Sequence, residues 1–481
     1  MGGRTWLSLA IGMIAVLALA GCSSSSPSST STSSGTVPVS LAIHDAPPSG
    51  VSVLSFQIHI TGASLQPADS TAAAVSLVSK PEEVELEDLQ TISAFLNTAD
   101  VAAGTYNSLT VTFANPQMTI LNDSGSTLTV GGKTCDNGQI CEVQPTLNQA
   151  SVTVSSSPFP LTLTSGSPVG LSLDFNLTSS LQGNLSVTPV VTVTSVTSGQ
   201  SNQNDQQGSK VKLTGVVTAV DSSNQSFTIQ VGLTGQTDTV LTNSKTEFDF
   251  GDQNCSANNF SCITVNSIVN VDAEMSSGQL MASDVEGVSL PKTQAVYGTV
   301  VSVNSAQSQF EIVLNDVEDS QDSQTLTLGL PVMVSVQSGA TFQLNAGNLN
   351  ISSTAGFGGF SSLMVGQEVA VSVSGVQVSG SAVTLTTNQV TLEMSQISGT
   401  VASVNASQDT FVLTNLPSLF TMNNITQILV TVGSNTEYEN ASGISSLSAN
   451  QSVSVSGLLT ANTSNAAEPN LLASAVRVRQ D

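Results

Sequence analysis

The sequence contains few of the residues from which catalytic and binding sites are usually built. Its 481 residues include two His, one Trp, three Tyr and nine Lys or Arg. Two imidazoles leave little material for acid–base catalysis. Nine basic residues against 34 acidic ones give a net charge of −25, which disfavours binding to nucleic acid through its phosphates. Because 9% of residues are charged and 39% hydrophobic, we expect a folded chain rather than a charge-driven disordered one.

One long apolar run lies near the N-terminus, from Trp6 to Ala20, after a short basic start. At about 15 residues it is too short to cross a bilayer comfortably and is typical of an export signal. The small residues before Cys22 resemble the signal of bacterial lipoproteins. That resemblance implies cleavage before Cys22 and lipidation of its sulfur, as with palmitate. We therefore expect a signal peptide at 1–21 and a Ser-rich tether at 22–36.

The same signal predicts where the protein resides. The residue after Cys22 is Ser23 rather than Asp, which in known lipoprotein sorting is compatible with the outer membrane. We expect an exported protein, lipid-anchored in the bacterial cell envelope at the outer membrane. Its partners are then the membrane, through the anchor, and an unidentified envelope or extracellular component.

The remaining cysteines form two local pairs, Cys135 with Cys141 and Cys255 with Cys262. Four cysteines permit three connectivities, and pairing within each short loop is the simplest. A shared four-cysteine zinc site is the alternative. It is disfavoured because the spacings exceed the usual two to four residues and the pairs lie in different predicted domains.

A threefold repeat occupies the C-terminal half of the chain. Each copy opens with a Gly followed by a β-branched run, and each has a Phe twelve residues after that Gly; the pairs are Gly215 and Phe227, Gly298 and Phe310, and Gly399 and Phe411. Val217 and Val220 are three residues apart and cannot share one face of a regular strand, so we expect either a β-bulge between them or a Val220 that faces the turn. Five strand-like segments recur in one order in every copy.

Units of this size with five strands and almost no helical periodicity predict small OB-like β-barrels or compact sandwiches. The repeats resemble the family known as domain of unknown function 5666. The resemblance covers residues 211–290, 295–394 and 396–478, and the middle match is the weakest because its loops differ in length. We expect three separate closed barrels strung along the chain.

Residues 37–196 follow a different pattern of alternating strands. Three landmarks occur in order, Asp45-Ala46-Pro47, Ala103-Gly104-Thr105-Tyr106 and Asp174-Phe175. Together they resemble the family domain of unknown function 4382, which implies a β-sandwich and supplies no established chemistry. The polar stretch 197–210 is predicted to be a linker to the repeats. The predicted fold class is therefore all-β, a sandwich followed by three barrels.

The sequence offers weak candidates for catalysis. His44, Asp45 and a Ser could form a hydrolytic triad, but no Gly-x-Ser-x-Gly elbow positions the nucleophile. His59 occupies an alternate position in a predicted strand. The acidic segment Glu82–Leu89 could form one short helix or a strand with an acidic face.

Two further segments are candidate ligand sites. The segment 315–322 offers oxygen ligands for calcium from Asp316, Glu318, Asp319 and Asp322, without the Gly and closing Glu of an EF-hand loop. The Gly-rich stretch 356–360 is not followed by Lys, so it is predicted to be a mobile loop rather than a phosphate cradle. No cofactor is expected, with calcium as a weak possibility.

The sequence thus predicts a non-catalytic, lipid-anchored envelope protein that presents β modules for binding or scaffolding. A calcium-stabilised adhesin-like surface protein is one alternative. A hydrolase that uses acidic residues near Asp45 and in 82–88 is the other.

Overall fold

The computed structural model describes residues 35–46, 52–197, 210–231, 236–250, 255, 257–276, 279–288, 295–318, 326–347, 349, 351, 356–380, 382–462 and 468–479. The predicted signal peptide, Cys22 and most of the predicted linker lie outside these ranges. No helix in the described ranges is both long and apolar enough to cross a bilayer.

The N-terminal module is a sandwich of two sheets. One sheet has the order β13-β12-β1-β5, and the other is built on β6 and β2, with β10, β11 and β9 pairing with β6 and β3 and β4 with β2. The strands are β1 (Thr36–Ala46), β2 (Ser52–Pro67), β3 (Val75–Val78), β4 (Glu82–Glu85), β5 (Ser93–Ala102), β6 (Gly104–Leu121), β7 (Leu128–Val130), β8 (Lys133–Cys135), β9 (Ile140–Val143), β10 (Ser151–Val154), β11 (Leu161–Leu163), β12 (Val169–Asn176) and β13 (Val191–Thr197). Helix α1 (Leu177–Ser180) follows β12.

The module core lies between the two sheets, as the alternation of apolar residues predicts. Phe175 of β12 meets Phe113 of β6 and Phe56 of β2, with ring centroids 5.4 and 6.1 Å away. All three rings are fully buried. The sequence expectation of a β-sandwich is confirmed.

Each repeat closes into a five-stranded barrel. Barrel 1 comprises β14 (Lys210–Asp221), β15 (Ser226–Val231), β16 (Gln236–Leu241), β17 (Glu247–Asp249), β18 (Ile268–Ser276) and β19 (Gln279–Val288). Barrel 2 comprises β20 (Ala295–Asn304), β21 (Gln309–Glu318), β22 (Pro331–Leu344), β23 (Glu368–Ser379) and β24 (Ala382–Glu393). Barrel 3 comprises β25 (Ser395–Asn405), β26 (Thr410–Thr414), β27 (Ile428–Glu439), β28 (Ser452–Thr460) and β29 (Asn470–Val478), with helix α2 (Ser418–Thr421) after β26.

The three barrels share one topology, in which the strands are ordered first, second, third, fifth, fourth around the barrel and the third runs parallel to the fifth. In barrel 1 the third strand is interrupted, so β16 and β17 both pair with β19. This is the topology of an OB-type barrel. The prediction of OB-like repeats is confirmed.

Equivalent side chains fill the three barrels. Phe227, Phe310 and Phe411 are each 1% exposed, and each lies in the core of its own barrel. The strand register skips one residue between Val217 and Ala219, and the same skip recurs at the equivalent place in β20 and β25. Of the two alternatives, the bulge is the one present, and it lets Val217 and Val220 pack against one core. The other two copies contain the same bulge.

The Gly-rich stretch 356–360 is an anchored segment, contrary to the prediction of a mobile loop. Phe357 is fully buried in the core of barrel 2, where its ring centroid lies 5.7 Å from that of Phe342. Phe360 begins a single 3₁₀ turn that ends at Ser362. Aromatic burial fixes this stretch even though glycine leaves its backbone few local constraints.

Both predicted local disulfides are present. Cys135 is bonded to Cys141 in the module, and Cys255 is bonded to Cys262 in barrel 1. The local pairing that the sequence favours is therefore the one present.

The barrels are not strung along the chain as separate bodies, because Gly35–Asp481 forms one compact unit. Strand β14 pairs in parallel with β5, so the first module sheet continues into barrel 1. A small apolar cluster joins the module to barrels 2 and 3, with buried members Leu121, Val301, Val313, Val365 and Leu419. The expectation of independent barrels is wrong, since each one packs against the module.

Candidate functional site

The acidic segment 82–89 is a strand followed by a turn. Glu82–Glu85 forms β4 against β2, and Glu87–Leu89 forms one 3₁₀ turn. Leu86 is fully buried and Leu89 is 6% exposed. Leu86 and Leu89 anchor the segment in the module core. Its carboxylates contact both the module and barrel 2.

Residues 85–94, here called the hub segment, contact all three barrels. Ser93 pairs with Val211 of barrel 1. The Gln396 side chain of barrel 3 donates from Nε2 to the Asp88 carbonyl at 2.6 Å. Its Oε1 accepts from the Thr91 amide and hydroxyl at 3.0 and 2.9 Å. One amide side chain therefore satisfies three polar groups of the hub segment.

A buried ion pair from barrel 3 adds to this contact. Arg477 donates from Nη1 to the Gln90 carbonyl at 3.0 Å and from Nε to Glu439 Oε2 at 2.7 Å. Its side chain is 6% exposed and that of Glu439 is 12% exposed. Ser398 also donates to Gln90 Oε1. Hydrogen bonds thus hold barrel 3 to the hub segment. The bond from the charged Arg477 side chain is of a kind that is stronger than a bond between neutral groups.

Barrel 2 meets the hub segment through two carboxylates and one amide. Asn315 Nδ2 donates to Asp88 Oδ1 at 3.2 Å and to Glu368 Oε1 at 2.9 Å. Thr299 donates to Glu368 Oε2 at 3.0 Å. Burial is the main cause that raises the pKa of Glu368 well above its usual value, and the negative charge of Asp88 is the second. Burial likewise raises the pKa of Asp88 well above its usual value, with Glu85 and Asp316 adding to the effect.

The other hub carboxylates face the module itself. Glu85 accepts from the Ser55 hydroxyl at 2.6 Å and from the Phe56 amide at 2.7 Å. Burial nevertheless raises the pKa of Glu85. Burial also raises the pKa of Glu87 well above its usual value, and the neighbouring carboxylates Asp45, Glu85 and Asp88 add to the shift. The hub segment is therefore a cluster of carboxyl groups that resist ionisation.

Each of the two histidines lies near one carboxylate. His44 is buried, with Nδ1 3.7 Å from Asp174 Oδ1. Burial, with the charge of Arg477 as a second cause, holds the pKa of His44 well below its usual range. His59 is half-exposed, and its Nε2 lies 3.7 Å from Glu83.

Asp45 has a local structural contact. Its Oδ1 accepts from the backbone amide of Leu177 at 3.2 Å, at the start of α1. The carboxylate therefore satisfies an amide at a helix N-terminus that has no partner within the helix. Asp45 therefore has a structural contact at the start of this helix.

The calcium candidates fall only partly within the described chain. Asp316 is exposed, and its Oδ1 accepts from the Val317 amide at 2.7 Å. Glu318 is the last residue of β21, while Asp319 and Asp322 lie outside the described residues. Among the residues that the structure describes, no three Asp, Glu, His or Cys side chains are grouped as a metal ion would require.

A small cavity lies beside the ion pair of barrel 3. It measures about 20 Å³, room for about one water molecule. Its lining comes from the hub segment, β14 and barrel 3, with Thr91, Lys210, Glu437, Tyr438, Glu439, Ala475, Val476 and Arg477.

The two parts of the chain match two families. Residues 36–189 match the family described as Domain of unknown function (DUF4382). Residues 214–286 and 398–468 match Domain of unknown function (DUF5666). The chain therefore contains one region similar to the first family and two regions similar to the second. Both resemblances stated from the sequence, and their order, are confirmed.

The DUF4382 module contributes the hub segment, and the DUF5666 ranges lie in barrels 1 and 3. Barrel 2 lies outside the matched ranges but has the same strand order as the others. No curated protein matches the chain significantly.

Sequence reasoning missed the residues that join the bodies, chiefly Asn315, Gln396 and Arg477. The first two are uncharged amides within strands and carry no periodic signal. Arg477 could have been noticed as one of nine basic residues in an acidic chain, because a scarce cation near many carboxylates is expected to be paired.

Proposed function

We propose that the chain is a non-catalytic, lipid-anchored protein of the bacterial cell envelope, whose β body binds or scaffolds another envelope component. The observation that carries this proposal is that polar side chains of the body form contacts between the module and the barrels. Gln90, Thr91, Gln396 and Arg477 are engaged in contacts between the module and the barrels. These contacts hold the module and barrel 3 together. Two families without assigned chemistry, joined in one body, support a structural role.

The anchor is tested by labelling cells with palmitate. The expected result is incorporation into the full chain and none into Cys22→Ala. Ser23→Ala is the matched control, since it changes the neighbouring residue and leaves the sulfur in place. Equal labelling of Cys22→Ala and the unaltered chain would reject the anchor.

The location is tested by membrane fractionation. Because Ser rather than Asp follows Cys22, the lipidated chain is expected in the outer-membrane fraction, and Ser23→Asp is expected to shift it to the inner-membrane fraction. Recovery of the unaltered chain mainly from the inner membrane would contradict this placement.

The binding role is tested by cross-linking in the native envelope. Specific cross-linked partners are expected for the full chain and are expected to be lost or reduced for Cys22→Ala, which is exported without the anchor. A full chain that cross-links to nothing beyond what an unrelated lipoprotein captures would argue against scaffolding.

A further inference from the structure

The contact between the module and barrel 2 places two carboxyl groups on one amide nitrogen. Asp88 Oδ1 and Glu368 Oε1 lie 3.2 and 2.9 Å from Asn315 Nδ2. The two oxygens are therefore at most about 6 Å apart, the separation at which like charges oppose each other's ionisation. Asp88 belongs to the module and Glu368 to barrel 2, so this repulsion acts across the contact between the two bodies.

The charged surroundings do not neutralise this pair. Asp88 faces the carboxylates of Glu85 and Asp316 as well as the ammonium of Lys212. Glu368 faces Glu393 in addition to Asp88. Within the described ranges, neither Asp88 nor Glu368 has a Lys or Arg at ion-pair distance.

The bridging amide lacks a donor at its other end. Asn315 Oδ1 is buried and has no hydrogen-bond partner among the described residues. An ionised carboxylate offers only acceptors, whereas a protonated carboxyl group also carries an O–H donor. The amide therefore keeps one acceptor without a donor, while both carboxyl oxygens lie at its nitrogen.

We propose that the contact between the module and barrel 2 is a proton-dependent latch, which is closed while at least one of Asp88 and Glu368 is protonated and loosens when both are ionised. The proton is released to solvent as the latch loosens and is taken up again as it closes. This regulation is independent of the lipid anchor and of the binding role proposed above.

The pKa directions agree with this geometry. Burial raises the pKa of both carboxyl groups well above their usual values. The closed form therefore holds more protons than a form in which these groups face water. Closure is accordingly favoured at low pH, and this advantage is lost as the pH rises through the raised pKa values.

Other contacts keep barrel 2 attached when the latch loosens. Thr119 donates to the Gly329 carbonyl at 2.6 Å. Leu121 of the module packs with Val301 and Val313 of barrel 2. The expected change is therefore a local loss of order at the latch and not dissociation of the barrel.

The latch is tested by amide hydrogen exchange of the full chain at about pH 5 and about pH 8.5, corrected for the intrinsic exchange rate. In residues 86–92 and 311–317, protection is expected to fall about tenfold or more between the two pH values. Glu368→Gln keeps the size of the side chain and an acceptor for Asn315, and it is expected to abolish most of this fall. Asp88→Asn is expected to do the same and serves if the first variant does not fold.

Glu311→Gln is the matched control. Burial raises the pKa of Glu311 as well, but its carboxylate accepts from Ser302 within barrel 2 at 3.3 Å. This variant is expected to keep the pH-dependent loss of protection. Equal protection of the unaltered chain at both pH values would overturn the proposal, and so would a loss in Glu368→Gln as large as in the unaltered chain.

Discussion

Asp284 lies at the centre of a row of carboxylates across three strands of barrel 1. It is paired in register with Glu247 of β17 on one side and with Asp272 of β18 on the other. Burial raises its pKa to about 7, and the charges of Asp272, Glu286, Glu247 and Asp249 add to the shift. The native state therefore binds a proton here that the unfolded chain releases near pH 4.

Asp284→Asn is expected to stabilise the protein at alkaline pH. Because the pKa of Asp284 is raised, the native state loses stability as the pH rises from about 4 to about 7, and the neutral amide avoids this loss. After a discount for partial exposure, we expect a gain of about 1–2 kcal/mol at about pH 8 and almost none at about pH 4. Calorimetric melting at the two pH values measures both.

Asp221→Asn provides a control with the opposite sign. Hydrogen bonds from Ser223 and Asn224 lower the pKa of Asp221, so its stabilising effect is present at neutral pH and is lost as the pH falls. The variant is expected to lower the melting temperature at about pH 7. A gain in this control, or a loss at alkaline pH for Asp284→Asn, would contradict the electrostatic account.

At the level of residues, the sequence predicted the core residues that recur in the three barrels. It did not predict the residues that connect the barrels to the module. Phe227 and its two counterparts are recognisable because they recur at one spacing in three β-branched frames. Asn315 occurs once, in a polar stretch that the sequence linked only to calcium. Its role depends on Asp88, which lies 227 residues away, and no local pattern encodes that distance.

The first strand of each barrel contains a glycine at the point where the second strand approaches it closely. A Cβ on Gly215 would lie 2.1 Å from the Gln230 carbonyl oxygen, and one on Gly298 would lie 2.4 Å from that of Val313. At Gly399 the closest atom, the Thr414 carbonyl oxygen, would be 2.9 Å away. Backbone oxygens cannot rotate away as a side chain can, so the strands themselves would have to move.

Alanine at these positions is expected to destabilise each barrel in the order of crowding. We expect Gly215→Ala and Gly298→Ala to cost about 1–3 kcal/mol each and Gly399→Ala to cost less. Gly433→Ala is the control, because nothing lies within 4 Å of the Cβ it would carry. Urea unfolding followed by circular dichroism gives the ranking, and a Gly215→Ala variant as stable as Gly433→Ala would refute it.

At the level of elements, local chemistry predicted the strands, the bulge and both disulfides, because each depends on a few neighbouring residues. It failed at 356–360, where burial of Phe357 overrides the freedom that glycine gives the backbone. It also left 82–89 undecided between strand and helix. The structure contains a strand and then a turn, and the change at Leu86 follows from contacts with β1 and β2 that the segment itself does not encode.

The whole molecule depends on polar contacts that resemble an exposed surface in the sequence. Ser40, His44 and Ser172 alternate with apolar residues as solvent-facing positions would, yet all three are buried. A polar strand face has the same pattern whether water or a polar partner covers it. For this reason the sequence predicted separate barrels, whereas the structure has barrels packed on the module.

Arg477→Met is expected to weaken the attachment of barrel 3. It keeps the length of the side chain but removes the partner of Glu439 and the donor to Gln90, and breaking a buried ion pair costs about 3–5 kcal/mol. The measurement is the free energy of unfolding in urea. Lys245→Met, which removes an exposed charge, is expected to change it little.

The double variant Arg477→Met with Glu439→Gln separates loss of the pair from loss of packing. It is expected to recover part of the stability lost in Arg477→Met, because no unpaired charge remains buried. A double variant that is less stable than Arg477→Met by the full cost of a second, independent change would show that the two side chains are not coupled.

The central claim is that one module and three barrels form a single packed body, and small-angle X-ray scattering of residues 35–481 at about pH 5.5 tests it most directly. A compact body of this length has a radius of gyration of about 22 Å, whereas four bodies in a line would give roughly 40 Å. We predict a value close to the first, with a distance distribution that has a single maximum. A value near the second, with separate maxima for individual bodies, would contradict the account.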